Sequence, residues 1–183
     1  MNAEGSSILA VSSLFALAVQ EVLKSSCKLD VVAGKTVQFL STIQISEDIG
    51  AFVCFNGNYS GLMVLNFEGA AALEIVKSLM LSMGMPDDEI PAHYMTDDVR
   101  SSIGEFVNHI IGNARAKIQK EYDLSANATI PAVIPIATPI GLFFKSAITE
   151  GHDCIRLVFR TPENNRFHLE LTMESSRFIG LPT

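Results

Sequence analysis

TDDVRSSIGEFVNHIIGNARAKIQKEY, residues Thr96 to Tyr122, is the stretch on which the reading of the chain turns. On a helix each residue advances ~100°, so Ser101, Glu105, Asn108 and Gly112 fall within one narrow arc. Val99, Ile103, Phe106, Val107, Ile110, Ala114 and Ile118 gather on the opposite side. That division predicts a long helix with one face on a core and the other free for chemistry. Glycine inside a helix costs ~1 kcal/mol relative to alanine, so Gly104 and Gly112 each need a compensating reason, either close packing or the close approach of a partner. Gly104 points away from the Ser101 arc, which favours packing there.

Working outward, 183 residues with 48% hydrophobic side chains are enough for a single domain over 1–183 with a sizeable core. The net charge of -7 argues against nucleic acid or an anionic membrane as partner, because both need clustered Lys and Arg. Cys27, Cys54 and Cys154 are far apart and form no CxxC pair, so the expectation is three reduced core thiols in a cytoplasmic protein. His93, His109, His152 and His168 share no ligand spacing, and no metal is assigned. Ile8 to Val19 is apolar, but the first twenty residues contain Glu4 and no Lys or Arg. The segment therefore reads as a helix with a stripe through Ile8, Val11, Leu14, Phe15, Ala18, Val22 and Leu23 rather than as a secretory signal. No run is expected to reach the ~20 apolar residues of a membrane span.

Between Thr36 and Phe67 the period changes to two. Val37 to Ile45, AFVCF and YSGLMVLNF read as a three-stranded meander, the last two joined by Asn56-Gly57-Asn58. Ala70 to Met83 returns to helical spacing, with Gly84 as its stop. The acidic connector Met85 to Met95 reads as a loop or a short extra helix. After the central helix, strands are expected over 128–138, 142–149, 154–161 and 166–173. Pro131, Pro135 and Pro139 put the first of these at a sheet edge. The last alternates Phe167, Leu169, Leu171 and Met173 with Arg166, His168, Glu170 and Thr172, so one of its faces is expected to be wet. Each half is a helix followed by strands, which suggests an α+β duplication around an antiparallel sheet.

Ser101, Glu105, Asn108 and Pro131 together spell Ser-x3-Glu-x2-Asn-x22-Pro. In this pattern, and in the order of its elements, the chain resembles the CheC, CheX and FliY-type chemotaxis phosphatases. The signature of that family is Asp or Ser, three residues, Glu, two residues, Asn, twenty-two residues, Pro. No second Glu-x2-Asn occurs; the first helix has Glu21 followed three residues later by Lys24. A single site is the CheX-like arrangement. The resemblance implies a CheC-like fold and catalytic roles for Glu105 and Asn108, with Ser101, Pro131 and Gly112 supporting the motif. It further implies a phosphorylated CheY-like response regulator as partner and a homodimer, for which open sheet edges other than the proline-bearing one offer a route. No cofactor of its own is implied, since Mg²⁺ would sit on the partner. The long connector before the helix, the three-proline strand and the tail ESSRFIGLPT depart from the family pattern. A non-catalytic interaction module, as in flagellar switch proteins resembling the same fold, is the alternative.

Overall fold

In chain order, helix α1 (Glu4–Val22) widens into a π turn over Leu23–Cys27 and is followed by strands β1 (Val32–Ala33), β2 (Gln38–Leu40), β3 (Ile43–Ile45), β4 (Ile49–Gly57) and β5 (Gly61–Phe67). Helices α2 (Gly69–Ser82) and α3 (Asp97–Tyr122) come next, separated by a single 3-10 turn at Asp87–Glu89. Strands β6 (Ala126–Ala128), β7 (Ala132–Pro135), β8 (Ile140–Leu142), β9 (His152–Arg160) and β10 (Arg166–Glu174) complete the fold. The computed structural model describes residues 4–136, 138–142 and 152–174. The strand expected over 142–149 beyond Leu142, and the tail after Glu174, lie outside the described residues.

Among the described residues all strand pairings are antiparallel, and the main sheet runs β1-β9-β10-β5-β4-β6, with β2 also on β9 and β7 also on β4. A separate two-stranded ribbon is formed by β3 and β8. If β1 to β5 are exchanged with β6 to β10 in order, each of these pairings maps onto another or onto itself. The duplication that no residue-level repeat revealed is therefore written in the topology: helix, two edge strands, one ribbon strand, then a hairpin, twice. The extra element of the first half is α2. Its stop is Gly84, which takes φ +85°, a conformation costly for a residue with a Cβ.

The helices cover one face of the sheet. Phe15, Val19, Ile103, Val107 and Ile110 are fully buried there against Val53, Leu65, Phe67, Leu169 and Leu171. Three aromatic rings stack side by side at the centre of this face, Phe67 on Phe167 at 5.4 Å and Phe167 on Phe159 at 5.0 Å between centroids. The ribbon covers the other face through Ile43 and Ile45, which pack with Leu62, Val64 and Cys154.

That second cover overturns one expectation. The polar side of β10 is not wet: His168, Glu170 and Thr172 are 3%, 0% and 2% exposed. The reason is the ribbon packed over this side, to whose backbone Glu170 and, on the adjacent β5, Asn66 are hydrogen-bonded. The Gln44 N–H donates to Glu170 Oε2 at 2.8 Å, the Ser46 N–H donates to Asn66 Oδ1 at 3.0 Å, and Asn66 Nδ2 donates to the Gln44 carbonyl at 3.0 Å. Arg156, directly across from Glu170 in the ladder, donates through Nε to Glu170 Oε1 at 2.9 Å. Burial pushes the Glu170 carboxyl up, but the His168, Gln44 and Arg156 donors around it outweigh burial and hold it below the ordinary carboxylate value. A polar alternation thus marks a second packing layer here rather than solvent.

The expected meander is corrected too. Val37 to Ile45 is not one strand, because the chain bends at Ser41-Thr42, sending β2 to the edge of β9 and β3 across the sheet into the ribbon. Only β4 and β5 form the expected hairpin, and its connection is Asn58 to Ser60. The three-proline run does lie at an edge, broken into β6 and β7 on β4 alone, while Ile140 after Pro139 begins β8. The segment Ser7–Cys27 is long and apolar enough, by length and composition, to cross a membrane, contrary to the expectation that no run comes near a span. In this fold half of that window is buried, and α1 packs against α3 and the sheet.

Candidate functional site

Helix α3 is built to hold its outer face steady. Thr96 Oγ1 accepts from the Val99 N–H at 3.3 Å, capping the first turn, and Asp97 and Asp98 place negative charge at the helix's positive end. At the far end Asp123 adopts the left-handed conformation, φ 55°, and its N–H closes on the Gln119 carbonyl at 3.0 Å. All seven residues assigned to the core face are buried, together with Ile111. This anchoring leaves the opposite face rigid in space with its side chains outward.

Ser101, Glu105, Asn108 and Gly112 are all exposed on that face, as the helical arc predicts. Among the described residues neither Glu105 nor Asn108 is engaged in a side-chain hydrogen bond or ion pair, so both side chains point outward unspent. A cavity of about 240 Å³ lies further along the helix, lined by Asn113, Ala116, Lys117 and Lys120, and it includes neither residue. Small-molecule sites are usually concave, whereas Glu105 and Asn108 stand exposed on the outer face of a helix.

Pro131 comes to the same region from β7. A Cβ placed on Gly104 would lie 3.5 Å from Val133 Cγ2, which puts β7 beside the turn at Gly104. After α3 the chain reverses near Asn58, where the Ser125 N–H donates to Asn58 Oδ1, and runs back along the helix. Two residues back along a strand is ~6.6 Å and one helical turn is ~5.4 Å, so the chain just before β7, where Pro131 lies, is brought toward the Asn108 turn. The motif's long spacer is the length of chain needed to leave the helix, turn and return. Ile130, just before that proline, is 90% exposed and belongs to no strand. Sequence reading had placed it inside a strand; an isoleucine next to a proline in a strand break was the only available signal.

Glu21 and Lys24 do not form a second site. Glu21 lies in the last turn of α1, whereas Glu105 and Asn108 lie in the first half of α3. Its Oε1 accepts from Lys117 Nζ at 2.8 Å and its Oε2 from Asn113 Nδ2 at 3.4 Å, fastening α1 to α3. The Lys117 hydrogen bond holds the Glu21 carboxyl below its ordinary value. Lys24 pairs with Asp30 at 2.7 Å. No three His, Cys, Asp or Glu side chains converge as a metal site among the described residues. Cys27, Cys54 and Cys154 form no disulfide among the described residues, and burial pushes the Cys27 thiol up to about 11.

Three solved structures share this architecture. The chemotaxis protein CheX from Desulfovibrio desulfuricans has a TM-score of 0.73 at 22% identity, over 90% of this chain and 99% of that one. CheX from Vibrio vulnificus has a TM-score of 0.70 at 20% identity, over 90% and 99%. A CheX-CheY-BeF3-Mg²⁺ complex from Borrelia burgdorferi contains a chain with a TM-score of 0.64 at 17% identity, over 88% and 96%. At these identities the likeness carries the fold, which is the CheX and CheC-like α+β fold that the motif implied. No curated protein matches the chain. The model of the family described as "Protein of unknown function (DUF3334)" matches residues 8–183, nearly the whole sequence, and the chain belongs to that DUF3334 family.

Proposed function

We propose that the protein is a phosphatase that accelerates hydrolysis of the aspartyl phosphate on a CheY-like response regulator in chemotaxis signalling. The observation that carries this reading is the placement of Glu105 and Asn108, outward and unpaired among the described residues, on one rigid face of α3. It is supported by a fold likeness to a CheX that forms a complex with CheY. A receiver's phosphoaspartate already has the receiver's own Mg²⁺ and lysine beside it, so a phosphatase needs chiefly to align a water. The water oxygen attacks phosphorus, the bond to the aspartyl oxygen breaks with its electron pair returning to the carboxylate, and inorganic phosphate leaves as dihydrogen phosphate carrying the water's oxygen and both of its hydrogens. Asn108 suits the alignment because its amide both accepts and donates and carries no charge to repel the phosphoryl oxygens. Glu105, one short step along the same face, suits an ion pair with the receiver's lysine.

In this reading Ser101 and Pro131 frame the pair, the protein needs no cofactor of its own, and it works in the cytoplasm as a homodimer. The direct test is phosphate release from phosphorylated receiver domains of the same organism, with and without the protein. Acceleration for one receiver is the expected result. Unchanged half-lives for every receiver would leave the same face as the contact surface of a non-catalytic binding module.

A further inference from the structure

Helix α1 lacks the charged face that a surface helix ordinarily shows to water. From Gly5 to Gln20 it contains no Asp, Glu, Lys or Arg. A helix that is apolar all round is normally buried all round. Here Ile8, Val11, Phe15, Ala18 and Val19 are buried, while Leu9, Ser13 and Leu17, on successive turns of one line, are exposed, the two leucines at 38% and 46%. That line is left open by the described residues.

Two features of the fold direct residues 175–183 toward it. The first is where β10 releases the chain. The Glu174 N–H donates to the Ser60 carbonyl at 3.1 Å, at the end of the sheet where Phe55 and Met173 both stand opposite Gly61 in the ladder. The Phe55 ring lies 6.1 Å from that of Phe15 on α1, and Met173 is two strand spacings, ~9.6 Å, from Phe55. The chain therefore leaves the sheet close to α1. An extended chain covers ~13 Å between Glu174 and Phe178, and Leu9 to Leu17 is ~12 Å along the helix, so the line is within reach. The second feature is the duplication. Helix α2 follows the β4-β5 hairpin and packs against α3, the helix of the other half. Residues 175–183 follow the β9-β10 hairpin, and exchanging the halves turns the α2 contact with α3 into a contact with α1. The composition fits that place, since Phe178, Ile179 and Leu181 are apolar and Arg177 is the one charged residue from Ser175 to Thr183.

We propose that residues 175–183 dock on the outer line of α1, with Phe178, Ile179 and Leu181 covering Leu9, Ser13 and Leu17. The docking is a contact within one chain, and it is independent of the phosphatase reading because none of these residues is on α3. A bilayer is the less suitable occupant, because a chain of net charge -7 is repelled by anionic lipid. A second copy has a better route at β1 and β2, where Val32 and Phe39 are exposed beside an open sheet edge.

The chain contains no tryptophan, so Phe178→Trp introduces a single indole into the docking segment. Its emission in the whole chain should lie to the blue of that from a free peptide of residues 174–183 carrying the same change. Acrylamide quenching should be severalfold weaker than in the peptide, at every protein concentration. Adding Leu9→Lys and Leu17→Lys should return both readings to the peptide's values with the circular dichroism spectrum unchanged. A second set reads the contact from the helix side and leaves the leucine line otherwise intact. Leu17→Trp should be shielded in the whole chain and become quenchable when Phe178 and Ile179 are both changed to serine. An indole at position 178 as accessible as in the peptide overturns the proposal, as does a Leu17→Trp signal that the serine pair does not alter. Shielding that grows with concentration together with the sedimenting mass assigns the line to a second copy, and shielding that appears only with lipid vesicles assigns it to a bilayer. Either result also overturns the proposal.

Discussion

Asn108 and Glu105 should fail differently when removed. On the proposed phosphatase reading, an Asn108→Ala variant would lose the group that aligns water but keep the anchor, so accelerated dephosphorylation should be abolished while complex formation with the receiver persists. On the same reading Glu105→Ala would lose an ion pair made before and during the reaction, so binding and rate should fall together. Neither change should move stability by more than ~0.5 kcal/mol, because both side chains are exposed and unpaired among the described residues. Receiver phosphoryl half-life and a thermal melt, run on each variant, separate these effects from unfolding. Glu170 is the opposite case. It is fully buried and binds both Arg156 and the backbone of Gln44, so Glu170→Ala strands a cation and an amide and should cost about 3–5 kcal/mol in a urea titration. A loss below ~1 kcal/mol would mean that the ribbon is not held by this carboxylate.

The elements at the two ends of the sheet are unlike. On one side Pro131 lies between β6 and β7 and Pro135 ends β7, which removes backbone donors at that edge. On the other side β1 and β2 are short, and Val32 and Phe39 on them are 69% and 62% exposed. An edge with apolar side chains and intact donors invites a second chain, and a proline edge resists one. The homodimer is therefore expected to form through β1 and β2, leaving α3 free for the receiver. Phe39→Glu should shift the sedimentation of a dimer to the monomer mass and leave dephosphorylation per chain intact. A wild-type protein that sediments as a monomer across micromolar concentrations would remove the homodimer from the proposal.

At the scale of the molecule, the two carboxyls held below their ordinary value, Glu170 and Glu21, give stability a definite pH dependence. A depressed folded-state pKa contributes stability that is present above the unfolded value of 4.5 and lost as pH falls through the folded value. Stability should be level near neutrality and decline below about pH 4.5. Glu170 should dominate, because Glu21 is half exposed and its pair is screened. Melts at a series of pH values for wild type and Glu170→Gln would check this, the variant showing the flatter acid limb. Sequence alone determined the long helix, its buried stripe, its exposed quartet and the α+β class, because helical period and capping are local and Thr96 to Tyr122 contains all of the relevant residues. The motif that singles out Glu105 and Asn108 was also legible there, since its spacing is an arithmetic property of the chain. Where β10's polar face goes, which strands flank which, and that Val37 to Ile45 divides between two sheets were decided by tertiary structure. Period-two alternation tells which side chains share a face but not what covers that face, and His168, Glu170 and Thr172 were claimed by a ribbon whose strands come from both halves of the chain. Gly112 illustrates the same boundary: its helix cost is legible in one dimension, but that no described residue packs where its Cβ would stand is seen only in three.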